Sequence, residues 1–419
     1  YGEIKAICKN EALANNVLDL VTLILNGWIN GDGKQGIKTG RGIVLAKAWS
    51  GEERRSEVKD VRPINAVEAY LSLADGLIYE EMKEKCIELA GENQMGLKPR
   101  GNQQLAIMMQ VWFDAMQAKD PLDEDTIDCL VMASLDLRNA FNALCRTLIL
   151  EFIQEHFPML VGYFGWLYGD GFDVVFGEEK IRSEMGVSQG SPSSALLFDA
   201  VLGIALSEVI KRFEDEGKLR IMLCHDGLFV MGRGSEVLKF KDLLEGQSER
   251  DPVRILPKGL AFNTAKCEVL CVVPGGCLAA GFNEGGWRIM EEGGMMVAGI
   301  PVGTNRFRDE LTTLKTKALV ERITKTMEAT INSLYPLGFI SITKLCLLPS
   351  MVYWATCVPV TRWPRQAIDP FSNLHTLLLR RLTRSAALSP DNSDLPISEF
   401  DVGNAKLAAI TRLKLWSPG

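Results

Sequence analysis

The chain has 419 residues, 47% hydrophobic and 24% charged, with 46 Lys and Arg against 53 Asp and Glu and a net charge of −7. This is an ordinary globular composition, with room for about two or three structural units. The longest apolar stretch, VLDLVTLILNGWI from Val17, contains Asp19 and falls short of the roughly 18 residues that suggest a bilayer span, so no membrane partner is expected.

Ten cysteines without a C-x-x-C pair, and only three histidines, argue against a zinc site and a disulfide scaffold. They point to a reducing, intracellular compartment, with cysteines such as Cys267 and Cys271 serving as small hydrophobes. The first residue, Tyr1, is what a processed product or a fragment presents, so the absence of a leader decides nothing about compartment. Charge is uneven. From Pro301 to Gly419 there are 15 Lys and Arg against 9 Asp and Glu, leaving 31 against 44 in the first 300 residues. Such a basic C-terminal third can grip a polyanion, and equally can serve as a solvated surface.

In chain order, residues 1 to about 30 carry apolar positions at helical spacing. NGDGKQGIKTGRGIVLAKAWSGEERRSEVKDVRPI reads as loops and short strands. Residues 64–90 and 102–118 are helical in pattern. CLVMASL is a short apolar run suited to a buried strand with Asp136 at its end, and NAFNALCRTLILEFI continues with helical periodicity. IRSEMGVSQGSPSSALLFDAVLGIALSEVIKRFEDEG repeats the scheme, a glycine-bearing loop before a long helix. LRIMLCHDGLFVMGR reads as a hairpin with Asp226 at its tip, Asp-Gly being a favoured two-residue turn. LKFKDLLEGQSE predicts a helix, and GLAFNTAKCEVLCVVPG and MMVAGIPVG predict short strands. From about Asn305 the chain is helical and basic, interrupted by Pro349, Pro359, Pro364 and Pro370.

Two aspartates, Asp136 and Asp226, thus end separate apolar strands. An unpaired carboxylate out of water is costly, and a metal ion is one reason to keep one. Mg²⁺ takes one or two protein carboxylates and completes its shell with water and substrate phosphate. Carboxylates on neighbouring strands can hold a pair of such ions for in-line phosphoryl transfer. The plainer alternative is a helix cap at Asp136 and an Asp-Gly turn at Asp226.

SLDLRNAFNAL, GVSQGSPSSALLF, the Asp-centred hairpin, FNTAKCEVL and MMVAGIPVG stand in the order found in reverse transcriptases, and the chain most resembles those of non-LTR retroelements. Upstream, KAWSGEERRSEVKDVRPI resembles the basic fingers segment and QMGLKPRGNQQLA the Gln-x-Gly stretch after it. Downstream, LPSMVYWATCVP resembles the start of the thumb, so the match spans about residues 40–360. The resemblance implies an α+β right hand: fingers over 1–130 with a return at about 150–185, a palm with an antiparallel sheet over 131–300, and a helical, basic thumb over 301–419. It implies an RNA-directed DNA polymerase that binds RNA and an RNA/DNA duplex.

The resemblance also gives roles. Asp136 and Asp226 would hold Mg²⁺, with Mn²⁺ as the alternative ion, and Lys266 would be a proton donor at the leaving pyrophosphate. Phe141 would be the gate against a ribose 2′-hydroxyl, and Gln189 and Gly190 the floor under the templating base and incoming nucleotide. Arg62, with Lys47, Arg54 or Arg55, would neutralise the triphosphate. Gly299 to Gly303 would form the primer grip. Each has a plainer use: a core aromatic for Phe141, a solvated loop for Arg54 and Arg55, a surface stem for Lys266, a turn before a helix for SQGSP.

The chain departs from the family at the hairpin, where Tyr-x-Asp-Asp is replaced by Cys224, His225, Asp226 and Gly227. Gly227 offers no side-chain ligand, and strand alternation predicts that His225 points away from the face of Asp226. An acidic body, pI about 5.3, is a second departure. Two functions follow: a polymerase with an altered second metal site, or an inactive retroelement-derived scaffold that binds RNA or protein in a larger ribonucleoprotein. A metal-dependent phosphotransferase of another kind would account for Asp136 and Asp226 but not for the motif order.

Overall fold

The computed structural model describes residues 9–46, 61–119, 128–248, 252–272, 280–331 and 348–358, in two compact units, 1–298 and 299–419. The first unit opens with helix α1 (Glu11–Leu25), capped by Asn10, whose side chain accepts a hydrogen bond from Leu13 N. Helix α2 (Gly31–Lys38) occupies a stretch whose glycines predict loop and strand. Tertiary contact decides the matter: Lys38 is buried, and its ammonium donates to Trp166 O at 2.9 Å and to Asp170 at 2.5 Å. Strands β1 (Gly40–Ala46) and β2 (Val61–Ala66) pair antiparallel; helix α3 (Ala69–Ala90) starts later than the expected residue 64, because 64–66 belong to β2, and α4 (Gly101–Lys119) follows near its expected bounds.

Strand β3 (Leu130–Asp136) is the expected buried run. The helical stretch after it is two helices, α5 (Ala140–Ala143) and α6 (Arg146–His156), rather than one. The break at Leu144 and Cys145 frees backbone groups for long-range pairing: Leu144 O accepts from Gly186 N, and Cys145 N donates to Lys258 O. Then come α7 (Val161–Tyr168), β4 (Phe172–Phe176), β5 (Glu179–Ser183) and the long α8 (Ser194–Asp215). Strands β6 (Leu219–Cys224) and β7 (Gly227–Arg233) form the hairpin, and α9 (Gly234–Glu245) begins directly after it. Strand β8 (Glu268–Cys271), helix α10 (Ala280–Glu284) and strands β9 (Arg288–Ile289) and β10 (Gly294–Val297) complete the unit.

This is a mixed α+β architecture with two main sheets. The four-stranded sheet runs β2-β1-β4-β5, with β1 and β4 parallel, so residues 172–183 return to the sheet begun by residues 40–66. The five-stranded sheet runs β6-β7-β3-β8-β9 and is antiparallel except at the short β8–β9 pair. Its central strands β3 and β7 are almost wholly apolar because both faces are covered. Val131, Ala133, Leu135, Leu228 and Val230 join Leu71, Met82, Phe198, Leu202 and Leu206 from α3 and α8 in one core. The two helices touch closely at Gly203, where an added Cβ would fall 2.3 Å from Ala90 O.

In the second unit, β11 (Ile300–Gly303) leads into α11 (Asn305–Ile331), followed by α12 (Leu348–Ala355). Trp354 Nε1 donates to Gly299 O at 3.1 Å, and the Lys315 ammonium lies 5.6 Å from the centroid of the Trp354 ring. No described helix is long and apolar enough to cross a membrane.

Candidate active site

Asp136 is the last residue of β3 and lies opposite Gly227 in the β3–β7 register. One step on, Leu137 N donates to Asp226 O at 3.2 Å, so the strand end and the hairpin tip adjoin. Both carboxylates are half-buried. Asp136 O accepts from Asn263 N at 2.7 Å, tying in the segment that carries Lys266, which is exposed at the end of a short 3-10 turn. Glu268 on β8 lies near the same face; burial pushes its carboxyl up, Arg288 opposes that shift, and the charge of Asp136 adds to it.

The hairpin tip differs from the expected Asp-Gly turn. His225 and Asp226 are the two turn residues, and Gly227 is already in β7, paired with Cys224. Of the two, only His225 has positive φ, at 53°, the sign pattern of a type II′ turn, whose first central residue is ordinarily glycine. Gly227 is therefore not needed for the turn. A Cβ there would meet the Phe229 ring at 3.2 Å, a side-chain neighbour that can give way.

A left-handed non-glycine residue costs on the order of 1–3 kcal/mol and persists only where its surroundings over-determine it. Here they do. His225 Nδ1 lies 2.8 Å from Asp199 Oδ2 on α8, and His225 N donates to Gln94 Oε1 at 3.2 Å. The ring packs on the Gly96 backbone, where an added Cβ would fall 2.6 Å from Nδ1. Gln94 Oε1 also accepts from Gly96 N, while Leu223 N donates to Asn93 O and Met95 N to Leu223 O. Residues 93–96 thus cover the outer edge of β6. Asp199 is fully buried, and burial pushes its carboxyl up; its hydrogen bond and charge in turn raise the imidazole of His225. Burial, reinforced by Asp199 and Asp226, pushes the neighbouring Cys224 thiol to about 12.

Phe141 completes this side of the site. Its ring stacks on Phe198 at a centroid distance of 4.6 Å and tilts against His225 at 6.2 Å. Phe141 O accepts from Val187 N at 2.7 Å, which draws the loop bearing Gln189 and Gly190 beside α5. That loop rests on β2: Asn65 N donates to Gln189 O at 2.7 Å, and Asn65 Nδ2 to Ser188 Oγ at 2.8 Å. Gly190 has φ of 131°, and a Cβ there would fall 2.2 Å from Asn65 O, so a side chain has neither conformation nor space.

Asp136, Asp226, Phe141, Gln189 and Gly190 are thus linked through intermediates: Leu137 and His225 at the hairpin tip, and Val187 at the loop. Arg62 sits on β2 opposite Leu45; its side chain, and Lys47, Arg54 and Arg55, lie outside the described residues. Sequence reasoning missed Asp199, Gln94 and Asn65. The charge of Asp199 inside ALLFDAVLGIAL was a signal, because a carboxylate within an apolar helix run needs a partner.

No protein-family model and no curated protein matches the chain. Among solved structures it is similar to apo telomerase from Candida tropicalis truncated from its C-terminal domain, with 14% identity and a TM-score of 0.35. The match covers 55% of this chain and half, 50%, of that one.

Proposed function

We propose that this chain is a reverse-transcriptase-like domain that binds an RNA template with its primer, with the five-stranded sheet as palm, residues 1–130 as fingers and residues 301–419 as a basic thumb. The observation that supports it most is the convergence of three segments separated in sequence: Asp136 with Phe141, the Gln189–Gly190 loop, and the hairpin tip with Asp226. The donor set fits a hard divalent ion, since Mg²⁺ takes one or two carboxylates and leaves the rest of its shell to water and phosphate. Asp136 and Asp226 would hold that ion, and when bound it would stabilise charge on the transferring phosphate.

The chain's own groups do the rest. Phe141, braced by Phe198, presents a ring that excludes a 2′-hydroxyl. Gln189 and Gly190 form a flat floor on which a base pair rests. Lys266, exposed three residues after Asn263, can reach toward the leaving group and return a proton to it. Nδ1 of His225 is occupied by Asp199, so imidazole does not replace the missing carboxylate through that atom.

The second reading, a non-catalytic RNA- or protein-binding scaffold, is favoured by one observation: β7 opens with Gly227, which has no ligand atom at the position facing Asp136. Primer extension on an RNA template, in Mg²⁺ and separately in Mn²⁺, divides the two. Under the polymerase reading Asp136→Ala abolishes extension, and Gly227→Asp raises it about tenfold or more, the scale of one ~1.4 kcal/mol interaction. No extension by wild type or Gly227→Asp, with RNA still bound, would leave the scaffold reading standing and sink the polymerase.

A further inference from the structure

Asp75 is a carboxylate that the proposed reaction does not use. It lies in the second turn of α3, within the apolar stretch LSLADGL, and is fully buried. A carboxylate out of water persists where donors fill its lone pairs, and Asp75 has four. Its Oδ1 accepts from Tyr163 Oη at 2.9 Å and from Ser193 Oγ at 2.7 Å. Its Oδ2 accepts from Ser191 Oγ at 2.7 Å and from Ser193 N at 2.8 Å.

Three of the four donors belong to the segment that continues the Gln189–Gly190 loop. On the other side that loop is held by Asn65 of β2, and Ser194 Oγ closes it by donating to Ser188 O at 2.7 Å. Gln189 and Gly190 therefore hang between two anchors. The Asn65 anchor is one side-chain amide bond and one backbone bond; the Asp75 anchor is three hydrogen bonds to one buried carboxyl, from the hydroxyls of Ser191 and Ser193 and from Ser193 N.

We propose that Asp75 is a positioning residue for the nucleotide site: its buried carboxylate fixes the Ser191–Ser193 turn and thereby the place of Gln189 beneath an incoming deoxynucleoside triphosphate. The nucleotide as ligand rests on the polymerase reading; the anchoring of the loop does not. Serine and tyrosine hydroxyls can turn to accept as well as donate. An asparagine at position 75 can therefore satisfy the same four groups, with its oxygen toward Ser193 N, whereas alanine satisfies none.

The test uses the full chain bound to poly(rA)·oligo(dT) with a dideoxy-terminated primer, so that dTTP binding in Mg²⁺ is read without chemistry. Asp75→Ala is expected to weaken dTTP binding about tenfold while template–primer affinity stays within about threefold of wild type. Amide exchange should accelerate about tenfold or more in residues 188–194 and not in β3 or β7. Asp75→Asn should restore both. Should Asp75→Ala fail to fold, the double variant Ser191→Ala with Ser193→Ala keeps the carboxylate and cuts the same link. Unchanged loop exchange with normal dTTP binding would overturn the role of Asp75. Uniformly faster exchange across the sheet, unrescued by asparagine, would reduce it to general stability. No dTTP binding by wild type would overturn the nucleotide assignment itself, and with it the polymerase reading, whatever the exchange shows.

Discussion

At residue scale, His225 is the residue on which the hairpin tip depends. Its left-handed backbone is held by Asp199, Gln94 and Gly96, and the ionisable groups that face it are Asp199 from α8 and Asp226 beside it. The Cys224 thiol, raised to about 12, stays neutral through the range in which the imidazole titrates. Because its folded value is raised above the ordinary 6.5, His225 contributes stability that is fully present below pH 6.5 and is lost as pH rises through the folded value. Wild-type melting temperature should therefore fall as pH is raised above 6.5. In Asp199→Asn the partner charge is gone, so this slope should flatten and the protein should melt lower at pH 6, as a thermal melt series would read. Equal slopes in the two proteins would mean that Asp199 does not hold the imidazolium.

At the scale of elements, α3 and α8 carry the site from below the sheet, and their close approach matters more than helix propensity. Gly203→Ala would normally favour a helix by about 1 kcal/mol. Here the new methyl meets Ala90 O at 2.3 Å and Ala90 Cα at 2.6 Å, both backbone atoms, so the helices must part. Overpacking of that kind typically costs about 1–3 kcal/mol. The net effect should be destabilising, seen as a lower urea midpoint; a higher midpoint would show that the contact is looser than it stands. A different tertiary contact explains why α2 forms from GDGKQGIK, a stretch of poor intrinsic propensity. Burial of Lys38 against Trp166 and Asp170 supplies what the local sequence lacks.

At the scale of the molecule, charge separates the acidic first 300 residues from the basic remainder. If RNA is gripped through that basic third, affinity must fall with salt, by about 0.7 in log–log slope for each single-strand phosphate neutralised. Replacing Arg380, Arg381 and Arg384 with glutamine should lower the slope of RNA binding by about 2, as measured by a salt titration of fluorescence anisotropy. An unchanged slope would exclude these arginines as RNA contacts.

Local pattern was sufficient for β3, the β6–β7 hairpin, α8 and the short strands after it, because apolar runs of strand length and a long amphipathic run follow directly from residue type. It also singled out Asp136 and Asp226, since a charge that ends an apolar strand is visible in one dimension. Three things were decided only in three dimensions. The turn moved from Asp-Gly to His-Asp because register with β3 draws Gly227 into the ladder, and because Asp199 and Gln94 stabilise a left-handed histidine that propensity disfavours. The helix after Asp136 broke at Leu144–Cys145 because distant backbone groups take those hydrogen bonds. The carboxylates of Asp75 and Asp199 acquired meaning only through serines, a tyrosine and a histidine far away in the chain. Sequence by itself determined which segments bury their side chains and where charges interrupt them; which buried charge meets which partner is a property of long-range packing, set by how the helices and sheets close on one another.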